Sequence, residues 1–66
     1  MDIVINGAPR QVADDMSLER AVSLVSAAAS GVAAAVNGEV VRRASWPSTR
    51  LTAGDEIEVL TAVQGG

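Results

Sequence analysis

Hydrophobic and polar residues alternate at the start of the chain. Ile3 and Ile5 are separated by less apolar neighbours over positions 2–6, and this period of two predicts a strand. The turn-forming run Asn6-Gly7-Ala8-Pro9 follows it, and Arg10 to Ala13 then reads as a short return strand. The chain is therefore predicted to open with a β-hairpin.

The second predicted element is a helix with one apolar face. Ser17 is a favourable N-cap, and Asp14-Asp15 places negative charge near the positive end of the helix dipole. Ser30-Gly31 is a stop signal for the helix. Four apolar residues at the i, i+3, i+4, i+7 spacing form the predicted buried face: Leu18, Ala21, Val22 and Val25.

A second hairpin is predicted after the helix. Val32 to Val36 is a short apolar run, Asn37-Gly38 is a strong signal for a tight turn, and Val40-Val41 returns. An irregular stretch from Arg43 to Thr49 follows. It contains Trp46, which we expect to cover one end of a small core rather than to form a platform for a ligand.

The last predicted strand runs from Glu56 to Val63, after a turn at Ala53-Gly54-Asp55. Its alternation gives a core face of Ile57, Val59, Thr61 and Val63, and an outer face of Glu56, Glu58, Leu60 and Ala62. One helix after a hairpin indicates an α+β fold, a mixed sheet curled around that helix. The last strand is expected in the centre of the sheet, beside the first.

Composition excludes most catalytic chemistry. The 66 residues allow one domain, predicted over 1–63, with a flexible tail at 64–66. The chain has no cysteine, histidine or tyrosine, and all five basic residues are arginines. It therefore lacks a disulfide framework, thiolate ligands for a metal, thiol nucleophiles, and the histidine and lysine bases that work near neutral pH. We expect no enzyme activity from the chain alone and no metal site.

Charge and hydropathy argue against nucleic acid and membranes as partners. The net charge is −3, the arginines are scattered, and Trp46 is the single aromatic residue on which a base could stack. Residues 21–38 carry no charge, but alanine, serine and glycine make this stretch weak for membrane insertion and unlike a signal peptide. A cytoplasmic protein is expected.

The chain ends in Val63-Gln64-Gly65-Gly66. Two residues without a Cβ give the tail a slim profile and backbone angles that are closed to other residues. Such a tail can enter a narrow tunnel in another protein and place its carboxylate beside a bound nucleotide. A frayed terminus is the alternative interpretation.

The outer face of the last strand is the candidate partner surface. Leu60 and Ala62 form an apolar spot near the tail, and Glu56 and Glu58 flank it. Acidic residues there would attract a basic groove of a partner protein. The alternative is that these carboxylates are simply solvated, as carboxylates on a strand commonly are. Arg43 is expected to form a salt bridge within the domain rather than to bind a partner.

The chain resembles the ThiS proteins, the small ubiquitin-like sulfur carriers of thiamin biosynthesis, over essentially its full length. Arg42 departs from the family pattern, which often has proline there. The residues that carry the resemblance are Ile3-Val4-Ile5-Asn6-Gly7, Val36-Asn37-Gly38-Glu39-Val40-Val41, Arg43, Trp46, Leu51, Gly54-Asp55-Glu56-Ile57-Glu58-Val59 and the final Val63-Gln64-Gly65-Gly66. The family fold is the β-grasp.

The resemblance also implies a mechanism centred on Gly66. A ThiF-type enzyme would use ATP and a metal ion to adenylate the Gly66 carboxylate, with residues 63–66 in its tunnel. Sulfur from a cysteine desulfurase relay would displace AMP, and the resulting thiocarboxylate would supply a ThiG-type thiazole synthase. The chain would bind no cofactor itself and would be monomeric when free.

Five other functions are alternatives at this point. The small subunit of molybdopterin synthase shares the Gly-Gly end, but residues 60–64 lack the aromatic and prolines typical of that family. A carrier for another sulfur pathway, such as tRNA thiolation, and a ubiquitin-like tag both begin with the same activation. An acyl carrier is disfavoured, because Met16 spoils the spacing before Ser17. A β-grasp binding module would never have its tail activated.

Overall fold

The computed structural model describes residues 1–27 and 31–61. Their five strands lie in one sheet in the order β2-β1-β5-β3-β4. In chain order the elements are β1 (Asp2–Ile5), β2 (Ala8–Gln11), α1 (Leu18–Val25), β3 (Val32–Val36), β4 (Glu39–Val41), a 3₁₀ helix (Arg43–Ser48) and β5 (Glu56–Thr61).

The last strand occupies the centre of the sheet, as predicted. β5 runs parallel to β1, where Ile5 pairs with Ile57, and antiparallel to β3, where Val32 pairs with Thr61. Each of the two flanking hairpins adds one edge strand. The mixed sheet with one main helix confirms the predicted α+β, β-grasp architecture.

The first hairpin turns earlier than predicted. Asn6 and Gly7 have φ values of 50° and 80°, so these two residues alone complete the turn. Ala8 already pairs with Ile5, and the return strand covers Ala8–Gln11 rather than Arg10 to Ala13. Pro9 is accommodated because β2 is an edge strand.

The start of α1 follows the prediction. Ser17 has extended backbone angles, and its Oγ accepts a 3.2 Å hydrogen bond from the Arg20 amide. This is the N-cap arrangement, in which a side-chain oxygen satisfies an amide that has no partner within the helix. Glu19 adds negative charge to the first turn.

The end of α1 corrects the prediction. The helix stops at Val25 and not at Ser30-Gly31, because Ser26 turns to extended backbone angles while its amide still donates to the Val22 carbonyl. Val25 was predicted on the buried face of the helix, but its side chain is 38% exposed. The helix residues that are buried are Leu18, Ala21 and Val22.

Trp46 belongs to the core, as predicted. It is 4% exposed, and its indole Nε1 donates a 2.9 Å hydrogen bond to the Val41 carbonyl. The stretch predicted as irregular is the 3₁₀ helix. The remaining core residues are Ile3, Ile5, Leu18, Ala21, Val22, Ala34, Leu51, Ile57 and Val59.

Arg43 has a structural role of a different kind from the predicted salt bridge. Its guanidinium carbon lies 5.3 Å from the centroid of the Trp46 ring. At this distance the cation is attracted by the face of the indole. Arg43 therefore helps to cover the buried tryptophan.

Within residues 1–27 and 31–61, no helix has the length and apolar character needed to cross a membrane.

Candidate functional site

The site predicted from the sequence begins where β5 ends. Thr61 is the last described residue of that strand. The predicted carrier residue Gly66, the rest of the predicted tunnel segment (Val63, Gln64 and Gly65) and Ala62 of the predicted partner surface lie outside the described residues. The structure therefore describes the base from which this segment continues.

That base is a strand anchored in the core. Ile57 and Val59 are 1% and 7% exposed, and they pack with α1 and β3 residues in the core cluster. Thr61 pairs with Val32 on the β3 side. Residue 62 thus follows the central strand of the sheet, which at Thr61 is paired on the β3 side and no longer on the β1 side.

Asn6 fastens β5 from the β1 side. Its amide donates a 2.9 Å hydrogen bond to the Ile57 carbonyl. Its side-chain Oδ1 accepts from the Val59 amide at 2.8 Å, and Nδ2 donates to the Val59 carbonyl at 3.2 Å. One residue of a tight turn therefore makes three hydrogen bonds to the central strand.

Asn37 holds the opposite end of β5, from the β3 side. Its amide donates to the Glu56 carbonyl at 2.7 Å, and its Oδ1 accepts from the Glu56 amide at 2.9 Å. Its Nδ2 donates to Asp55 Oδ1 at 3.0 Å. Like Asn6, Asn37 opens an Asn-Gly turn and has a left-handed φ, 52° against 50°.

Asp55 is held in its charged form by these contacts. Burial by itself would raise the pKa of Asp55, but three hydrogen bonds outweigh it and leave the pKa below its ordinary value. The donors are the Thr52 amide at 2.8 Å, the Asn37 side chain and the Thr52 hydroxyl at 3.0 Å. The ionised carboxylate thereby ties the loop before β5 to the turn between β3 and β4.

The outer face of the sheet carries an exposed apolar area beside the end of β5. Leu60 is 67% exposed and lies opposite Ala33, while Val40 is 76% exposed and lies opposite Ala35. We call these four residues the outer patch. A shallow groove of about 90 Å³ lies over it, lined also by Ala34 and Glu58.

The predicted partner surface stays a prediction, and the structure describes three of its four residues. Glu56, Glu58 and Leu60 are all exposed, and they alternate along β5 with the buried Ile57 and Val59. Sequence reasoning missed the three other members of the outer patch, Ala33, Ala35 and Val40. The Asn37-Gly38 turn could have placed two of them side by side, because a two-residue hairpin sets Ala35 opposite Val40. Ala33 joins the patch only through the pairing of β3 with β5.

The described residues contain no group of three or more acidic, histidine or cysteine side chains that could hold a metal ion. The outer face presents an apolar contact area with the carboxylates of Glu56 and Glu58 at its side.

Comparison with known proteins gives consistent results. The ThiS family model matches residues 3–66. The crystal structure of the thiamine biosynthesis protein ThiS from Geobacter metallireducens is similar over 100% of both chains, with 33% identity and a TM-score of 0.83. An NMR solution structure of a thiamine biosynthesis protein from the same organism aligns with 100% of this chain and 88% of the other, with 30% identity and a TM-score of 0.80.

No curated protein matches the sequence significantly. The family model spans nearly the whole sequence, and the structural similarity covers all of it. The chain belongs to the ThiS family.

Proposed function

We propose that this protein is a sulfur carrier in thiamin biosynthesis and that the carboxylate of Gly66 is the group that carries the sulfur. The observation that supports this most directly is the family match, which continues through the Gly-Gly end to residue 66. The two similar structures are both described as thiamine biosynthesis proteins, which favours thiamin over molybdopterin as the pathway.

The proposed chemistry activates an acyl group in two steps. A Gly66 carboxylate oxygen attacks the α-phosphorus of ATP, pyrophosphate leaves, and a glycyl adenylate forms. A sulfur nucleophile then attacks the acyl carbon, and AMP leaves. Hydrosulfide gives the thiocarboxylate directly. A persulfide of the relay gives an acyl disulfide, and a partner thiol must then cleave its S–S bond, which leaves the thiocarboxylate on Gly66 and a disulfide on the partner. Adenylation is needed because a carboxylate is a poor acyl donor until it has a good leaving group.

The partners supply what this chain lacks. A chain without histidine, cysteine or lysine has none of the usual groups for general base or thiol chemistry near neutral pH. A ThiF-type enzyme provides the nucleotide site and its metal ion, a cysteine desulfurase relay provides the sulfur, and a ThiG-type thiazole synthase receives it. In this account the chain is a protein co-substrate and not an enzyme.

The outer patch is the proposed docking surface for the activating enzyme. Leu60 and Val40 offer apolar area that a partner can cover. Glu56 and Glu58 lie beside it on the same face, and they would steer a basic groove into place. Docking through Leu60 puts the partner beside Thr61, after which the tail segment, residues 62–66, follows.

ATP–pyrophosphate exchange with a ThiF-type enzyme tests the proposal, because exchange reports formation of the acyl adenylate. We expect exchange with the wild-type protein and none with Gly66→Ala or with a variant that lacks Gly66. Circular dichroism and the urea midpoint should be unchanged in both variants, since residue 66 lies beyond the last core strand. Exchange at the wild-type rate by Gly66→Ala would overturn the assignment of the carrier residue. Absence of exchange with the wild-type protein, by an enzyme active on its own carrier, would overturn the function.

A further inference from the structure

We propose that Asn6 is a positioning residue for acyl activation: its side chain fixes the end of β5 from which residues 62–66 continue. The inference rests on the proposed function, because it assigns Asn6 a role in presenting the Gly66 carboxylate to the activating enzyme.

The need for such a residue follows from where β1 stops. The parallel pairing of β1 with β5 ends at Ile5 and Ile57, because the chain turns away at Asn6-Gly7. β5 continues for four more residues, to Thr61. On the β1 side, the amide and carbonyl of Val59 therefore have no strand backbone opposite them.

The Asn6 side chain takes the place of the missing strand. A carboxamide presents one acceptor and one donor side by side, as a peptide group does. Its Oδ1 and Nδ2 bond the Val59 amide and carbonyl at 2.8 and 3.2 Å. The hydrogen bonding between β1 and β5 is thereby extended beyond Ile57 to Val59. Val59 is held on the β1 side by Asn6 and on the β3 side by its pairing with Ala34.

Val59 lies close in sequence both to the proposed docking surface and to the tail segment. Its neighbour Leu60 lies in the outer patch, and Thr61 is the last described residue before the tail segment. The activating enzyme must engage the patch and the Gly66 carboxylate at the same time. If the end of β5 were held from the β3 side alone, its position relative to the docked body would vary. A misplacement of about 1 Å can cost about a hundredfold in rate.

Asn37 provides an internal control. It also opens an Asn-Gly turn, has nearly the same left-handed φ and makes two side-chain hydrogen bonds, one of them to the β5 backbone. Its target is Glu56, the first residue of β5, so its loss leaves the tail end of the strand untouched.

Asn6→Gly and Asn37→Gly form the matched pair of variants. Glycine accepts positive φ, so each turn is kept while the side-chain hydrogen bonds are lost. A general loss of stability should affect the two variants alike. A positioning role should lower kcat/KM for adenylation in Asn6→Gly but not in Asn37→Gly.

The experiment combines adenylation kinetics with amide hydrogen exchange, at a temperature well below the unfolding midpoints of both variants. For Asn6→Gly we expect faster exchange of the Val59 amide and a kcat/KM for adenylation at least about tenfold lower. For Asn37→Gly we expect faster exchange of the Glu56 amide and a kcat/KM close to the wild-type value. Asn6→Asp keeps an acceptor for the Val59 amide, and it should recover part of the lost activity.

Equal kcat/KM values for the two glycine variants would overturn the positioning role. So would unchanged exchange of the Val59 amide in Asn6→Gly. Failure of the wild-type protein to be adenylated is a different result, because it would remove the proposed function itself while the exchange data would still show whether Asn6 holds Val59.

Discussion

The Asn37 side-chain amide donates a 3.0 Å hydrogen bond to Asp55 Oδ1, and this contact joins the β3–β4 turn to the loop before β5. Thr52 binds the same carboxylate through its amide and its hydroxyl. All three donors prefer a charged acceptor. The junction is therefore strongest when Asp55 is ionised.

The first prediction concerns the pH dependence of stability. The pKa of Asp55 is lowered by folding, so its stabilising contribution is fully present above the unfolded pKa near 3.8 and is lost as the pH falls through the folded value. Asp55→Asn should therefore be less stable than the wild-type protein at neutral pH, and the difference should shrink in acid. Urea unfolding at about pH 7 and about pH 3 measures this.

Glu58→Gln is the control for the loss of one carboxylate from the same region of the chain. A stability difference between wild type and Asp55→Asn that stays constant from neutral pH to acid would contradict the role of the Asp55 charge.

The second prediction concerns Trp46. Trp46→Phe keeps most of the apolar volume but removes the donor to the Val41 carbonyl and leaves that carbonyl without its indole partner. We expect a loss of about 1–2 kcal/mol in the free energy of unfolding. Trp46→Ala should cost about 3–5 kcal/mol, because it also opens a cavity at a site that is 4% exposed.

Urea unfolding followed by far-UV circular dichroism measures both Trp46 variants without relying on tryptophan fluorescence. Leu24→Ala, at an apolar site that is 41% exposed, is the control and should change stability by no more than about 0.5 kcal/mol. Wild-type stability of Trp46→Phe would show that the indole hydrogen bond contributes nothing.

The third prediction concerns the outer patch. Leu60→Ser and Val40→Ser remove apolar area at exposed positions, so folding should be nearly unaffected. If the patch binds the activating enzyme, KM for adenylation should rise by about tenfold or more while kcat changes little. Leu24→Ser, on the helix and away from the patch, should leave KM unchanged. If the KM values of Leu60→Ser and Val40→Ser were the same as that of Leu24→Ser, the outer patch would be excluded as the docking surface.

The fourth prediction concerns the β3–β4 turn. Gly38 has a φ of 84°, and a Cβ built there meets no atom within 4 Å, so any cost of substitution comes from the backbone alone. Gly38→Ala should lower the free energy of unfolding by about 1 kcal/mol. Gly38→Asn should cost less, since asparagine tolerates left-handed angles better than alanine does. Equal losses for alanine and asparagine would contradict this explanation.

Local signals in the sequence were sufficient for most of the fold. The alternation in β5 correctly separates the buried Ile57 and Val59 from the exposed Glu58 and Leu60. It is wrong for Thr61, which it places on the core face and which is exposed. Each Asn-Gly pair marked a hairpin turn, because both positions need positive φ. Such signals need only a few neighbouring residues, so they can be recognised without the tertiary structure.

Element boundaries were harder to predict, because they depend on weak local preferences. Beyond Val25 the chain continues with small residues that can extend or end a helix, and the Ser26 backbone decides the outcome. The local sequence predicts a turn at Pro9, whereas in the structure Pro9 lies in the edge strand β2.

The parts of the candidate site that the sequence did not reveal depend on long-range contacts. An Asn-Gly pair predicts a turn but not the target of the asparagine side chain. Asn6 bonds Val59, 53 positions away, and Asn37 bonds Glu56, 19 positions away. The outer patch likewise joins β5 to β3 and β4, and its membership depends on strand register.

The fate of the Gly66 carboxylate tests the proposed function most directly, and intact-mass measurement can follow it. The protein would be incubated with the activating enzyme, ATP and a sulfur donor, and the modified residue located by fragmentation. We predict a mass increase equal to replacement of one oxygen by sulfur, confined to Gly66 and absent when ATP is omitted. An unmodified mass, with an enzyme that converts its own carrier in the same mixture, would contradict the proposal that this protein carries sulfur.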